Sequence, residues 1–265
     1  MIESFEEKKA RIQEFRPIDD AFFEVLIRNR KVCEEILQTI LEDPNLAVLE
    51  VVPQNSIRNL QGRSVRLDAL CRLGTGKVCN VEVQRADNDD HFRRVRYNTS
   101  CITANVTDPG EKFRNIPDII AIYISEHDFL KLGKTVYHVD KIIRETGSVV
   151  DDGLSEIFVN AQVNDGSDIA ALMQCFHERE PDNPKFPEIQ KEVYEIKHTE
   201  GGITTMCRIM DEYAKEYARE SNIQVSIRMC KEFGQSINAT IKKIVEMYSL
   251  SQDDAAKKVS QYWEN

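Results

Sequence analysis

Two alternating runs separated by Gly74-Thr75-Gly76 constrain this chain most. In Val65-Arg66-Leu67-Asp68-Ala69-Leu70-Cys71-Arg72-Leu73 the residues at 65, 67, 69, 71 and 73 share one apolar face, and Arg66, Asp68, Leu70 and Arg72 share the other. In Val78-Cys79-Asn80-Val81-Glu82-Val83-Gln84 the same period places Asn80, Glu82 and Gln84 on one side. With the three glycine-bearing residues as a hairpin loop, Leu73 faces Lys77, and a constant index sum sets Asp68 directly across from Glu82. Cross-strand Cβ atoms lie roughly 4.5–5.5 Å apart, where like charges oppose each other unless one is protonated or a cation sits between them. Ordinary charges on a solvated hairpin face would give the same spacing. If the face is a site, its all-oxygen donors suit Mg²⁺, with Mn²⁺ as substitute, better than Zn²⁺.

The surrounding chain is globular in composition. Its 265 residues suffice for a large core, and its net charge of −10 opposes non-specific coating of nucleic acid. The charge is unevenly spread. Between Arg58 and Arg96, nine basic residues stand against five acidic ones, a positive band around Asp68 and Glu82 that would suit a phosphodiester substrate. Seven cysteines without CxxC pairs predict buried thiols rather than disulfides or a zinc ribbon. No apolar run reaches the roughly 18 residues of a membrane span, and Met1-Ile2-Glu3-Ser4-Phe5-Glu6-Glu7-Lys8 lacks the apolar stretch of a signal peptide. The expected setting is cytoplasmic, with no membrane partner.

Along the chain, a helix capped by Asp19 or Asp20 is predicted to run through Phe22, Phe23, Leu26 and Ile27 to Ile40 and Leu41. A strand over 46–53 precedes the hairpin, and a crossover helix is predicted from Asn88 to about Asn105. Asp118-Ile119-Ile120-Ala121-Ile122-Tyr123-Ile124-Ser125 reads as a strand buried on both faces. The order is α-β-β-β-α-β. Further strands are predicted over 134–140 and 157–162, then helices over 169–176, 188–197 and 203–233. Two tail helices follow, the first carrying Ile237, Ile241, Ile244, Val245 and Tyr248, the second opened by a Ser251/Asp254 capping box.

Five ordered blocks carry a resemblance: Arg66-Leu67-Asp68-Ala69-Leu70, Asn80-Val81-Glu82-Val83-Gln84-Arg85-Ala86-Asp87, Arg94-Val95-Arg96-Tyr97, Pro117-Asp118-Ile119-Ile120 and Val136-Tyr137-His138. On an αβββαβ core, this pattern resembles the PD-(D/E)XK nuclease superfamily, and within it the recombination-promoting nucleases known as PD-(D/E)XK nuclease family transposases. The similarity runs from about Arg16 to Tyr217. It implies an α/β restriction-endonuclease-like core over 16–165, a mixed sheet flanked by helices, followed by a helical extension over 166–234 and a two-helix tail over 235–265.

The resemblance also implies a metal held by Asp68, Glu82 and the Val83 carbonyl, with Asp20 as a further acid from the first helix. Asp19 and Glu24 are weaker candidates, and a helix cap explains Asp20 as well. Gln84 occupies the place where the superfamily motif has lysine. Lysine can help deprotonate the attacking water, whereas glutamine can only hydrogen-bond. Arg94 and Tyr97, one helical turn apart, together with Arg66 and Arg85, are the implied DNA contacts, although packing with a snorkelling arginine accounts for the first two as well. His91 and His138 lack partners at ligand spacing and are not expected to be catalytic.

The implied activity is Mg²⁺- or Mn²⁺-dependent endonucleolytic hydrolysis of DNA, tied to recombination or mobile elements. A homodimer would supply the two centres needed to cut both strands. The rival reading is a nuclease-fold protein that binds DNA or protein and cleaves little. RNA is a third substrate class that nothing in the sequence distinguishes.

Overall fold

Alternating and fully apolar runs assemble into one mixed sheet in this computed structural model, which describes residues 4–57, 65–85 and 90–263. Its strands are β1 (Val48–Ile57), β2 (Val65–Leu73), β3 (Val78–Gln84), β4 (Ile119–Ser125), β5 (Val136–Val139) and β8 (Leu154–Asn160), in the order β1-β2-β3-β4-β8-β5. A separate two-stranded hairpin, β6 (Ile142–Ile143) with β7 (Ser148–Val149), was not anticipated from the sequence. The β1–β2, β2–β3 and β5–β8 pairs are antiparallel, and β3–β4 and β4–β8 are parallel. Every residue of β4 is buried, as expected of a central parallel strand covered on both faces. This is the predicted α/β nuclease-type core.

The helices of the chain are α1 (Phe5–Glu14), α2 (Asp20–Leu26), α3 (Arg30–Ile40), α4 (His91–Val106), α5 (Asp168–His177), α6 (Pro187–His198), α7 (Glu200–Glu232), α8 (Ile237–Tyr248) and α9 (Gln252–Trp263). One face of the sheet meets α3, where Cys33 Sγ lies 3.3 Å from Cys71 Sγ of β2. The other face meets α4, which bridges β3 and β4. All seven cysteines are free and buried, as their spacing suggested. A buried lysine joins distant segments: Lys197 Nζ of α6 donates to the carbonyls of Gln13, Phe15 and Arg179 at 3.0, 2.7 and 2.5 Å.

Several boundaries differ from expectation for physical reasons. The predicted single first helix is two, because the Asn29 side chain accepts from Lys31 N–H at 3.0 Å and starts a new helix. The apolar stripe continues through the break, so periodicity alone did not reveal it. The polar lead is α1, opened by a capping box in which Glu7 N–H donates to Ser4 Oγ and Ser4 N–H donates to the Glu7 carboxylate. β1 continues past Pro53 to Ile57, since an edge strand tolerates a residue without an N–H. Asn88, predicted to open the crossover helix, lies outside the described residues, as do Arg58, Arg63, Ala86, Asp87 and Asp89. Within the described chain that helix starts at His91, with Asp90 accepting from Arg93 N–H at 3.0 Å.

The chain divides into two compact units, the first comprising the described residues to Ile57 and Val65–Cys207, the second the described residues from Arg208 onward. In the second, Ile223 and Ile227 of α7 pack with Ile244 of α8 and with Ala255 and Val259 of α9. Ser251 caps α9 as predicted, with Asp254 N–H donating to Ser251 Oγ at 3.1 Å, and the Asp254 carboxylate accepts from the Ser251 hydroxyl at 2.6 Å. Glu220 of α7 accepts from Tyr262 Oη at 2.7 Å. The tail's apolar faces are thus turned inward.

Candidate active site

The hairpin forms in the predicted register. Leu73 N–H donates to Lys77 O at 2.9 Å, and the ladder runs Arg72–Val78, Cys71–Cys79, Leu70–Asn80 and Ala69–Val81. Gly76 adopts φ 85°, a left-handed conformation that favours glycine in this loop. Beyond Ala69 the backbone pairing stops. Asp68 lies at the next position, and its Oδ2 accepts a hydrogen bond from Val83 N–H at 2.9 Å. The side chain thus takes over from the ladder and carries its carboxylate to the strand that bears Glu82.

Glu82 does not lie on a solvated face. It is 1% exposed, with α4 covering that side of β3. Its Oε1 accepts from Asn80 Nδ2 at 3.0 Å, while Oε2 has no hydrogen-bond partner in the described structure; Arg94 Nη2 stands 4.0 Å away, and Arg94 and the Asp68 N–H both favour the charged form of the carboxyl. Burial pushes the Glu82 carboxyl up to about 8, and the Asp68 charge adds to that shift. Burial also pushes Asp68 up, to about 6, against the hydrogen bond from Val83, and the Asp20 charge raises it further. Two acids therefore face each other across the hairpin, one of them with a buried oxygen that lacks a hydrogen bond, a state that a hard divalent cation would relieve.

Asp20 stands at the start of α2. It stays accessible to solvent, yet the protein around its carboxyl pushes its pKa up despite the pull of Arg85 and Arg94. Among the described residues no three His, Cys, Asp or Glu side chains group closely enough to hold a metal. Asp20 therefore shapes the potential at the pair without completing a three-acid cluster. Asp19 turns away: its carboxylate accepts from Arg16 N–H at 2.7 Å and pairs with Arg85 Nη1 at 2.7 Å. Glu24 pairs with Arg28 at 2.6 Å.

The basic candidates separate. Arg85 is engaged by Asp19 and by Glu126, at 3.1 Å, in a network that also joins Arg16 to Glu126 at 3.0 Å. Arg94 turns to the acids and donates from Nη1 to Gln84 Oε1 at 2.5 Å. Tyr97 is half-buried and packs on the cluster of Leu67, Val78 and Ile102. Arg66 is exposed on β2. His138 is exposed, and His91 is buried with Nδ1 2.9 Å from Tyr123 Oη, a core partner rather than a ligand pattern. Sequence reading gave no role to Asn80, although period two had already set it beside Glu82. It also could not see Glu126 or Arg16, whose link to Arg85 spans distant chain segments.

The profile of the PD-(D/E)XK nuclease family transposases matches residues 22–167, more than half of the chain. The chain belongs to that family. No curated protein and no solved structure matches it. Membership supports a nuclease-like or transposase-like function, and the matched span contains Asp68, Asn80, Glu82, Gln84 and Arg94. Among the described residues, no helix is long and apolar enough to cross a membrane.

Proposed function

We propose that this PD-(D/E)XK family protein is a metal-dependent endonuclease that hydrolyses DNA phosphodiesters, with Asp68 and Glu82 as its metal-binding acids. The observation that carries this reading is the buried Glu82 carboxylate, whose Oε2 lacks a hydrogen bond and whose neighbour across the hairpin is a second acid. A buried unpaired oxygen costs about 1–3 kcal/mol or more when charged. Such a cost at a family motif points to an ion as the missing partner.

Asp68, Glu82 and the Val83 carbonyl would hold Mg²⁺ or Mn²⁺, which often takes only one or two protein carboxylates and keeps several waters. When bound, the ion supplies a water of lowered pKa and positive charge at the scissile phosphate. The remaining work belongs to the chain. Val83 N–H fixes Asp68, Asn80 fixes Oε1 of Glu82, and Gln84 brings a hydrogen-bonding group to the same face. Arg66, exposed on β2, is a cation suited to a backbone phosphate. No covalent protein intermediate is required, and no strand transfer is proposed.

Purified protein should nick supercoiled plasmid with Mg²⁺ or Mn²⁺, whereas Asp68→Asn and Glu82→Gln should nick at least 100-fold more slowly. Equal nicking by all three proteins would refute the assignment. The rival reading, a DNA- or protein-binding regulator, draws on the glutamine at position 84. It predicts tight plasmid retention without cleavage by the wild type.

A further inference from the structure

A closed ring of alternating charges sits at the carboxyl ends of β3 and β4. Arg85, which follows Gln84, pairs through Nη1 with Asp19 Oδ1 at 2.7 Å and donates from Nε to Glu126 Oε2 at 3.1 Å. Arg16 closes the circuit, with Nη1 3.0 Å from Glu126 Oε1 and Nη2 3.5 Å from Asp19 Oδ1. Backbone groups fix two corners: Arg16 N–H donates to Asp19 Oδ2 at 2.7 Å, and Glu126 N–H donates to Gln84 O at 2.9 Å. The Asp19 and Glu126 side chains are only 9% and 15% exposed, so these pairs are better shielded from water and salt than ordinary surface bridges.

Asp19 is the informative member of the ring. As the N-cap of α2 it would ordinarily accept from an N–H of its own helix, yet its side chain makes no such bond. The carboxylate is turned instead to Arg16 and Arg85. Its sequence neighbour Asp20 opens α2, and α2 packs on β2 and β3, the strands that carry Asp68 and Glu82. Arg85 leaves β3 directly after that motif. We infer that Arg85 is a positioning residue: through Asp19 it fixes the first turn of α2, so that the Asp20 charge stands where it helps draw a divalent cation to the Asp68–Glu82 pair without joining its ligands. The inference rests on the metal-binding role proposed above for those two acids.

Three roles for Arg85 differ in sign. A cation near a cation site repels the ion, so if charge alone counted, Arg85→Ala would tighten Mn²⁺ binding. A phosphate contact would lower the salt slope of DNA binding by about one and would not weaken Mn²⁺ binding. A positioning residue predicts the reverse. Metal-free Arg85→Ala, titrated with Mn²⁺ by calorimetry in the absence of DNA, should bind about tenfold more weakly than the wild type, the scale of losing a group that orients a site from outside it. If Arg85→Ala fails to fold, Arg85→Lys takes its place. It keeps the charge but lacks the planar fork that reaches two acids at once, so it should also bind Mn²⁺ more weakly than the wild type.

A cycle with Asp20 tests the route. Asp20→Asn should itself weaken Mn²⁺ binding, and adding Arg85→Ala to it should cost less than about threefold more, because the effect of Arg85 passes through the carboxylate already lost. A merely structural arginine would give losses that add. Additive losses, an Asp20→Asn protein with wild-type affinity, or an arginine variant that binds Mn²⁺ as tightly as the wild type or more tightly would each overturn the inference alone. A wild type that takes up no Mn²⁺ would instead remove the metal-binding role of Asp68 and Glu82, and this inference with it.

Discussion

Asp68 Oδ2 accepts the Val83 N–H at 2.9 Å, one position past the last β2–β3 ladder pair, Ala69–Val81. A side chain here completes the backbone ladder, and in doing so it fixes an acid beside Glu82. The structural role seen here and the metal-binding role proposed above would therefore be joined in one carboxylate.

Replacing Asp68 by asparagine should separate those roles. The amide oxygen can still accept from Val83, while the charge that opposes Glu82 is gone. Metal-free Asp68→Asn should be more stable than the wild type by about 1–2 kcal/mol in urea unfolding, although its nicking is lost. A destabilised variant would show that repulsion within the pair is not significant.

The pair should also make stability pH-dependent. Both carboxyls titrate above the ordinary carboxylate range in the folded protein, so between about pH 4 and 8 the native state holds protons that the unfolded chain has released. Stability of the metal-free protein therefore falls as pH rises through that window, by up to about 1.4 kcal/mol per pH unit for each proton. Below it both states are protonated, and above it both are ionised. Unfolding of wild type compared with an Asp68→Asn/Glu82→Gln double variant isolates the effect. Parallel pH profiles would contradict it.

Asn80 holds one oxygen of Glu82 at 3.0 Å and so selects which oxygen remains for an ion. Asn80→Ala should weaken Mn²⁺ binding roughly 10–100-fold, the usual consequence of losing a residue that orients a ligand. Calorimetry checks this, and unchanged affinity would leave Asn80 a packing residue.

Gly202 tests the packing rather than the site. A Cβ there would lie 2.2 Å from Glu195 O and 2.6 Å from Ile196 Cα, where α6 and α7 approach. Gly→Ala within a helix ordinarily stabilises by about 1 kcal/mol. Gly202→Ala should instead destabilise by about 3 kcal/mol through overpacking, as measured by urea unfolding.

Much of this architecture was legible in the sequence, for identifiable reasons. The period-two runs around Gly74-Thr75-Gly76 set the hairpin register, and the unbroken apolar run 119–124 marked the central strand. The acid pair was legible because it lies within one hairpin. Local signals did less where two of them competed. The cap at Asn29 was masked by a continuous apolar stripe, and the Ser4/Glu7 capping box went unread within a polar lead. The ion pairs of Arg85 were hidden, because nothing near it in sequence announces Asp19 and Glu126 as its partners. Burial of Glu82 was equally hidden, since alternation shows which side a residue faces but not what covers that side.

Titration of the metal-free protein with Mn²⁺, by calorimetry at pH 7 in two buffers of different ionisation enthalpy, tests the acid pair most directly. The account predicts binding to the wild type with release of protons from the pair, and loss of that binding in both Asp68→Asn and Glu82→Gln. A wild type that takes up no Mn²⁺, or variants that bind it as tightly as the wild type, would contradict it.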